Sequence, residues 1–255
     1  MQDTLTIPFR FRGPPGSGNG GYVAGALAAQ FPRSAERPAD AAVQVTLRAP
    51  IPLDTPMQLD CSGENQLQLR LGEQLIAEAQ PLALDLDVPS PPSFAAALAA
   101  QPQSAALQPR LNSLIPGGTG FHPVCVCCGA DVPEGQGLRV FAAPVAGFDG
   151  AAAAWHAPAA LADAAGNLPE PLVWTALDCP GQFAWLTRGI RTGLLGRMAA
   201  RVLRPVPADE DYVVIGWPIE VERKKHFAGT ALFGTDGTLY AIAHQTWIGR
   251  MDDGS

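Results

Sequence analysis

The sequence predicts an α+β fold made of two like halves, each a helix followed by a run of antiparallel strands. Three observations lead there. First, the chain repeats itself: LRAPIPLD (47–54) matches LRPVPAD (203–209), with Leu47-Arg48 against Leu203-Arg204 at a separation of 156. Pro-x-Pro and an Asp follow in both after a one-residue gap, and GEQLIAEAQ (72–80) is echoed later by DGTLYAIAHQ (236–245). Second, both copies place a helix candidate ahead of strand candidates joined by short Gly, Pro and Asp turns. That is the order of an antiparallel meander and not of a doubly wound sheet. Third, Val88 to about Gly120 is rich in Pro, Gln, Ser and Ala and reads as a connection between copies.

Taken in order, Thr4 to Arg12 is a strand candidate, ended by Pro14-Pro15 because proline cannot donate to a ladder. Gly21 to Phe31 is the first helix. Val43–Arg48, Met57–Cys61, Gln66–Leu71 and Leu75–Leu84 are the strands of copy one. Phe94 to Ala100 is a short helix inside the connection. In copy two a helix from Leu172 to about Leu186 precedes strands Met198–Arg204, Tyr212–Val221, Gly229–Phe233 and Leu239–Ile248. The expected boundaries are 1–95 for the first half, 96–118 for the linker and 119–255 for the second.

Bulk properties narrow the function. The 255 residues, 47% of them hydrophobic, suffice for a sizeable core. A net charge of −7, with only 17 Lys and Arg, lacks the basic stripe that nucleic-acid binding calls for. No charged leader precedes an apolar run, and no apolar stretch reaches the length of a membrane span. The five cysteines are odd in number and three of them cluster, unlike a secreted disulfide framework. A cytoplasmic protein is expected.

GPPGSGNGGYVAG (13–25) carries Gly13 and Gly18 at the spacing of a phosphate-binding loop. Asn19-Gly20 stands where that loop needs Lys and then Ser or Thr, so a nucleotide site is not expected. The glycines instead suit a helix start where a backbone or ligand approaches closely, its N–H groups attracting oxygen atoms.

At this point the residues resemble a known family. NGGYVAGALAA is similar to the start of the first central helix of double hotdog acyl-CoA thioesterases of the type II class. VWTALDCPG resembles their second central helix, with its acidic residue at Asp178. TLYAIAHQTWIGRM resembles their last strand, with a glutamine at Gln245, and HPVCVCCGADVPEGQGLRV is similar to a C-x-x-C-G stretch preceding many small hotdog domains. The likeness touches most of residues 1–95 and 119–255. It implies a tandem (double) hotdog, each half a long central helix wrapped by an antiparallel sheet. It further implies hydrolysis of an acyl-CoA or acyl-carrier thioester without a cofactor, and a homodimer.

Asp178 is the first candidate catalytic residue, a carboxylate in an apolar helix segment, where burial raises the pKa toward that of a useful general base. The alternative is a capping Asp ahead of Pro180. For Gln245 the resemblance implies a role in holding the attacking water. Strand alternation puts His244 on the opposite face. The family also uses a Ser or Thr on the strand after the second helix, where this chain has Ala199 and Ala200; Thr175, Thr187 and Thr192 are the nearest hydroxyls.

Asn19, Gly20, Gly21 and Tyr22 are candidate substrate-binding residues, with the N–H of Gly20 or Gly21 as an oxyanion donor. At the repeat separation of 156, Tyr22 falls opposite Asp178. No metal is expected: Cys125 and Cys128 form one C-x-x-C near His122, but no second pair exists, and Cys61 and Cys179 stand alone. Arg223-Lys224-Lys225-His226 reads as a solvated turn or as a contact for coenzyme A phosphates. Two rival readings are a non-catalytic acyl-thioester binder and a hydratase or dehydratase on the same fold, which needs a His partner for Asp178.

Overall fold

The structure is a computed structural model and describes residues 3–30, 41–61, 65–108 and 119–249. The end of the first expected helix at Phe31 and linker positions 109–118 lie outside the described residues. The first half holds β1 (Thr4–Leu5), α1 (Gly20–Gln30), β2 (Ala42–Leu47), β3 (Met57–Cys61), β4 (Leu67–Leu71) and β5 (Gln74–Leu82). Then come α2 (Phe94–Ala100), β6 (Ala143–Pro144), β7 (Ala151–His156) and α3 (Glu170–Leu186). Four long strands close the chain: β8 (Thr192–Val202), β9 (Asp211–Glu222), β10 (Lys225–Gly234) and β11 (Leu239–Gly249).

These strands form one antiparallel sheet in the order β1-β3-β4-β5-β2-β8-β11-β10-β9-β7-β6. The halves join where β2 pairs with β8, Val43 opposite Ala200 and Gln44 opposite Ala199. The two long helices pack on one face of the sheet and against each other. A Cβ on Gly21 would lie 2.7 Å from the Asp178 Cβ, and one on Gly25 would lie 2.7 Å from the Pro171 Cα. Rising numbers on α1 meet falling numbers on α3, so the helices run antiparallel. Four-residue spacing puts both glycines on one face, and their missing side chains allow the close approach.

Trp155, Trp174, Trp185, Leu27 and Leu177 are buried in this helix-facing core. A smaller apolar layer covers the other face of the sheet, where Ala97 of α2 packs with Val213, Ile215, Ala231 and Phe233.

The repeat has a geometric counterpart. Asp54 and Asp209 both adopt the left-handed region, at φ 50° and 64°. Their amides bond the carbonyls of Ile7 and Ala157, at 2.9 and 2.8 Å. Gly18 N–H to Ile51 and Leu168 N–H to Val206 match in the same way. Loop counterparts are therefore 155 apart (209 − 54), whereas the helices start 150 apart (170 − 20). The α1 counterpart of Asp178 is then Ala28 (178 − 150), and not Tyr22 as the separation of 156 suggested. The sequence repeat lies in the loops, and the segments between helix and loop differ in length.

Other elements also depart from expectation, β10 among them, which starts at Lys225 and not Gly229. The Thr4–Arg12 strand shrinks to β1 and a 3-10 turn at Phe9–Phe11, since Pro8 has no N–H for a ladder. β7 was not foreseen: AAAAWH holds little of the branched character that marks a strand, yet it pairs along β9. β8 begins at Thr192 and not Met198, because Gly193 and Gly196 disguise its first half.

Candidate active site

Asp178 lies inside α3, which continues through Pro180 to Leu186, so it is not a helix-end cap. Asp178 is 3% exposed, and its carboxyl points at the start of α1. There Asn19 caps the helix, its Oδ1 accepting from the N–H of Tyr22 at 2.8 Å. The Asn19 Nδ2 donates to Asp178 Oδ2 at 2.5 Å, and the Gly21 N–H donates to the same oxygen at 3.1 Å. Only glycine fits at position 21, because a Cβ there would also meet the Trp174 carbonyl at 2.7 Å. The other oxygen, Oδ1, is buried and accepts no hydrogen bond among the described residues.

Burial holds this carboxyl well above the ordinary carboxylate range, and the nearby Cys127 and Cys125 push the same way. The donors from Gly21 and Asn19 oppose the shift without cancelling it. The result is a buried carboxyl with a raised pKa, one oxygen hydrogen-bonded and the other without a partner among the described residues.

Gln245 faces the helices, as one of the two strand alternations allowed. Its Nε2 donates to the Leu177 and Asp178 carbonyls at 2.7 and 3.1 Å, and its Oε1 accepts from Trp247 Nε1 at 2.8 Å. The side chain thus grips α3 in the turn where Pro180 interrupts the helical ladder. A Cβ at Gly181 would collide with it, at 1.8 Å from Oε1. His244 points to the other face, beside Phe227, and burial lowers its pKa.

A second polar group escaped the sequence reading. Gln182, one turn beyond Asp178, donates to the Thr192 carbonyl and hydroxyl and to the Gly193 carbonyl, at 3.3, 3.2 and 2.8 Å. Its Oε1 lies 2.6 Å from His122 Nε2, and burial lowers the pKa of that imidazole. The available signal was a polar residue at i+4 from Asp178 in an apolar helix. Thr192 is thus the nearest-strand hydroxyl tied to α3, through Gln182. Thr175 bonds back to the Pro171 carbonyl and Thr187 to that of Ala184.

Of the other helix-start residues, Tyr22 stacks on Phe11, with ring centroids 3.8 Å apart. The Gly21 N–H is engaged by Asp178 and the Tyr22 N–H by Asn19. Beside them, Cys179, which stood alone in the sequence, meets the C-x-x-C loop. The sulfurs of Cys125, Cys128 and Cys179 all lie within 4.8 Å of one another. Of the basic residues 223–226, Arg223 and Lys224 form the β9–β10 turn, with Arg223 left-handed, whereas Lys225 and His226 already belong to β10, and His226 lies edge-on to Trp185, two turns past Asp178 on α3.

A cleft of about 610 Å³ opens elsewhere, at the start of α3, between Ala28, Glu170, Val173, Ala200, Arg201 and Arg204.

Comparison with solved structures places this fold. The chain is similar to the tesB protein of Mycobacterium avium subsp. paratuberculosis, with a TM-score of 0.57 at 12% identity over 96% of this chain and 90% of that one. It is similar to a Novosphingobium aromaticivorans protein named as a thioesterase, with a TM-score of 0.59 at 12% identity over 97% and 94%. A Thermobifida fusca protein named as a thioesterase II gives 0.55 at 14% over 92% and 89%. The chain shares the fold of these thioesterases. The likeness in fold spans nearly the whole chain. No family model matches the sequence, and no curated protein matches it. Among the described residues, no helix is long and apolar enough to cross a membrane.

Proposed function

We propose that this protein is a double hotdog acyl-thioester hydrolase, with Asp178 as its general base. The observation that carries the reading is the division of labour within that carboxyl. Oδ2 is held by Asn19 and Gly21, while the buried Oδ1 has no donor among the described residues. In the ionised form Oδ1 accepts a proton from water as the oxygen attacks the thioester carbonyl carbon. The developing oxyanion is stabilised at the start of α1, where the N–H of Gly20 and the positive end of the helix serve. Collapse breaks the C–S bond, and Asp178 returns its proton to the departing thiolate, giving acid and thiol.

Gln245 acts in this scheme as a positioning residue, fixing the backbone of Leu177 and Asp178. Asn19 both caps α1 and orients the base. The basic turn near Trp185 suits the phosphates of coenzyme A, and acyl-CoA is the preferred substrate class.

The deciding experiment is thiol release from short, medium, long and aromatic acyl-CoAs by the wild type and Asp178→Asn side by side. Release that collapses in the variant supports hydrolysis. Absence of release from every member, with acyl-CoA still raising the melting temperature, moves the protein to the class of acyl-thioester binders.

A further inference from the structure

Four of the five cysteines are buried, and they converge from two distant segments beside Asp178. Cys125 and Cys128 lie in a tight knuckle. The Cys125 N–H donates to the His122 carbonyl at 3.1 Å, and the Gly129 N–H returns to the Cys125 carbonyl at 2.7 Å. The Cys128 N–H points to the Cys125 sulfur. No side chain fits at position 129, where a Cβ would meet the Cys125 and Pro123 carbonyls at 2.5 and 2.6 Å. Both sulfurs of the C-x-x-C therefore face one side, and α3 supplies a third, Cys179, with its Sγ 3.7 Å from that of Cys125.

That spacing fits a shared ion. A metal about 2.3 Å from two thiolates at a tetrahedral angle holds their sulfurs about 3.8 Å apart. We propose that Cys125, Cys128 and Cys179 are the protein ligands of a zinc-class metal ion. Among the described residues these three sulfurs are the whole group within 4.8 Å of one another, so the fourth position of a tetrahedral ion falls to water or another non-protein ligand. Asn19 Nδ2, 3.6 Å from the Cys125 sulfur, is an outer donor to a bound thiolate. An all-sulfur donor set selects zinc or a similarly soft ion over magnesium or calcium. On binding, each ligand thiol loses its proton to solvent and no electron moves. Because the cluster is buried, the ion enters as the chain folds.

The site also joins the two halves through Asn19, which donates to both Cys125 and Asp178. Its existence does not depend on hydrolysis, and the test reads absorbance instead of turnover. Full-length protein is unfolded in chelator with a phosphine reductant, then refolded with cobalt(II). The expected result is about one equivalent of cobalt per chain with intense thiolate-to-cobalt absorption, bleached by zinc.

Cys179→Ala and Cys125→Ala should each weaken binding by tenfold or more, whereas Cys61→Ala, at an exposed cysteine, leaves it intact. A folded wild type without the thiolate absorption overturns the proposal, as does a Cys179→Ala spectrum equal to the wild type. The wild-type spectrum decides even if a variant fails to fold, and far-ultraviolet circular dichroism identifies such a variant.

Discussion

The two helix starts occupy equivalent places in the repeat, yet one is filled and the other open. At the first, Asn19 caps α1 and faces a carboxylate on α3. At the second, Pro169 precedes α3 with no side-chain cap, and Ala28 stands where symmetry would put a carboxylate. The first is packed with Asp178, Cys125 and Trp174; the second borders the cleft lined by Arg201 and Arg204. The two helix starts thus differ through a handful of side chains. A buried carboxylate is costly unless hydrogen-bonded, and only the Asn19 start supplies the donors.

Asp178→Asn keeps the contacts, because its side-chain oxygen can accept from Asn19 and Gly21. It should cut thioester hydrolysis by about 10²–10⁴-fold, read as kcat on the best acyl-CoA, with the fold intact. Gly21→Ala drives a methyl into Asp178 and the Trp174 carbonyl and should cost about 1–3 kcal/mol in denaturant unfolding. An unchanged midpoint would mean that the helices are not in close contact there.

Asn19→Ala loses the cap, for about 1 kcal/mol, and a donor to the base. Asn19→Asp keeps the cap but sets a second carboxylate against Asp178, so the activity profile should move to higher pH.

The smallest effect is one of pH on stability. The raised pKa of Asp178 means that the folded state prefers the protonated form. Its contribution to stability is complete below the ordinary carboxylate pKa and is lost as pH rises through the folded value. The melting temperature should therefore decline across that window in the wild type and less in Asp178→Asn. Activity should rise over the same window, since the base must be ionised. Parallel pH curves for the two proteins would show that another group carries the effect.

Much of this was legible in the linear chain. The repeat, the helix-then-strands order, the glycine-rich helix start and the suspicious Asp178 all follow from local chemistry. Proline and glycine punctuate backbone geometry, and a charge in an apolar helix demands a partner. The strand at Ala151–His156 was hidden because alanine has no strong preference, and only the edge of β9 recruits it. The Tyr22 pairing failed because the repeat was aligned on loops, while the helices keep a different register.

The sequence alone determined that two helix-and-sheet halves would form and that Asp178 needed partners. Which partners it has was decided by the tertiary structure. Asn19 and Gly21 are more than 150 positions from Asp178, and Cys125 is 54 from Cys179. Such meetings depend on antiparallel packing of α1 on α3, set by glycines that admit the neighbouring helix. No local propensity encodes that contact, since it exists only when both surfaces are folded and pressed together.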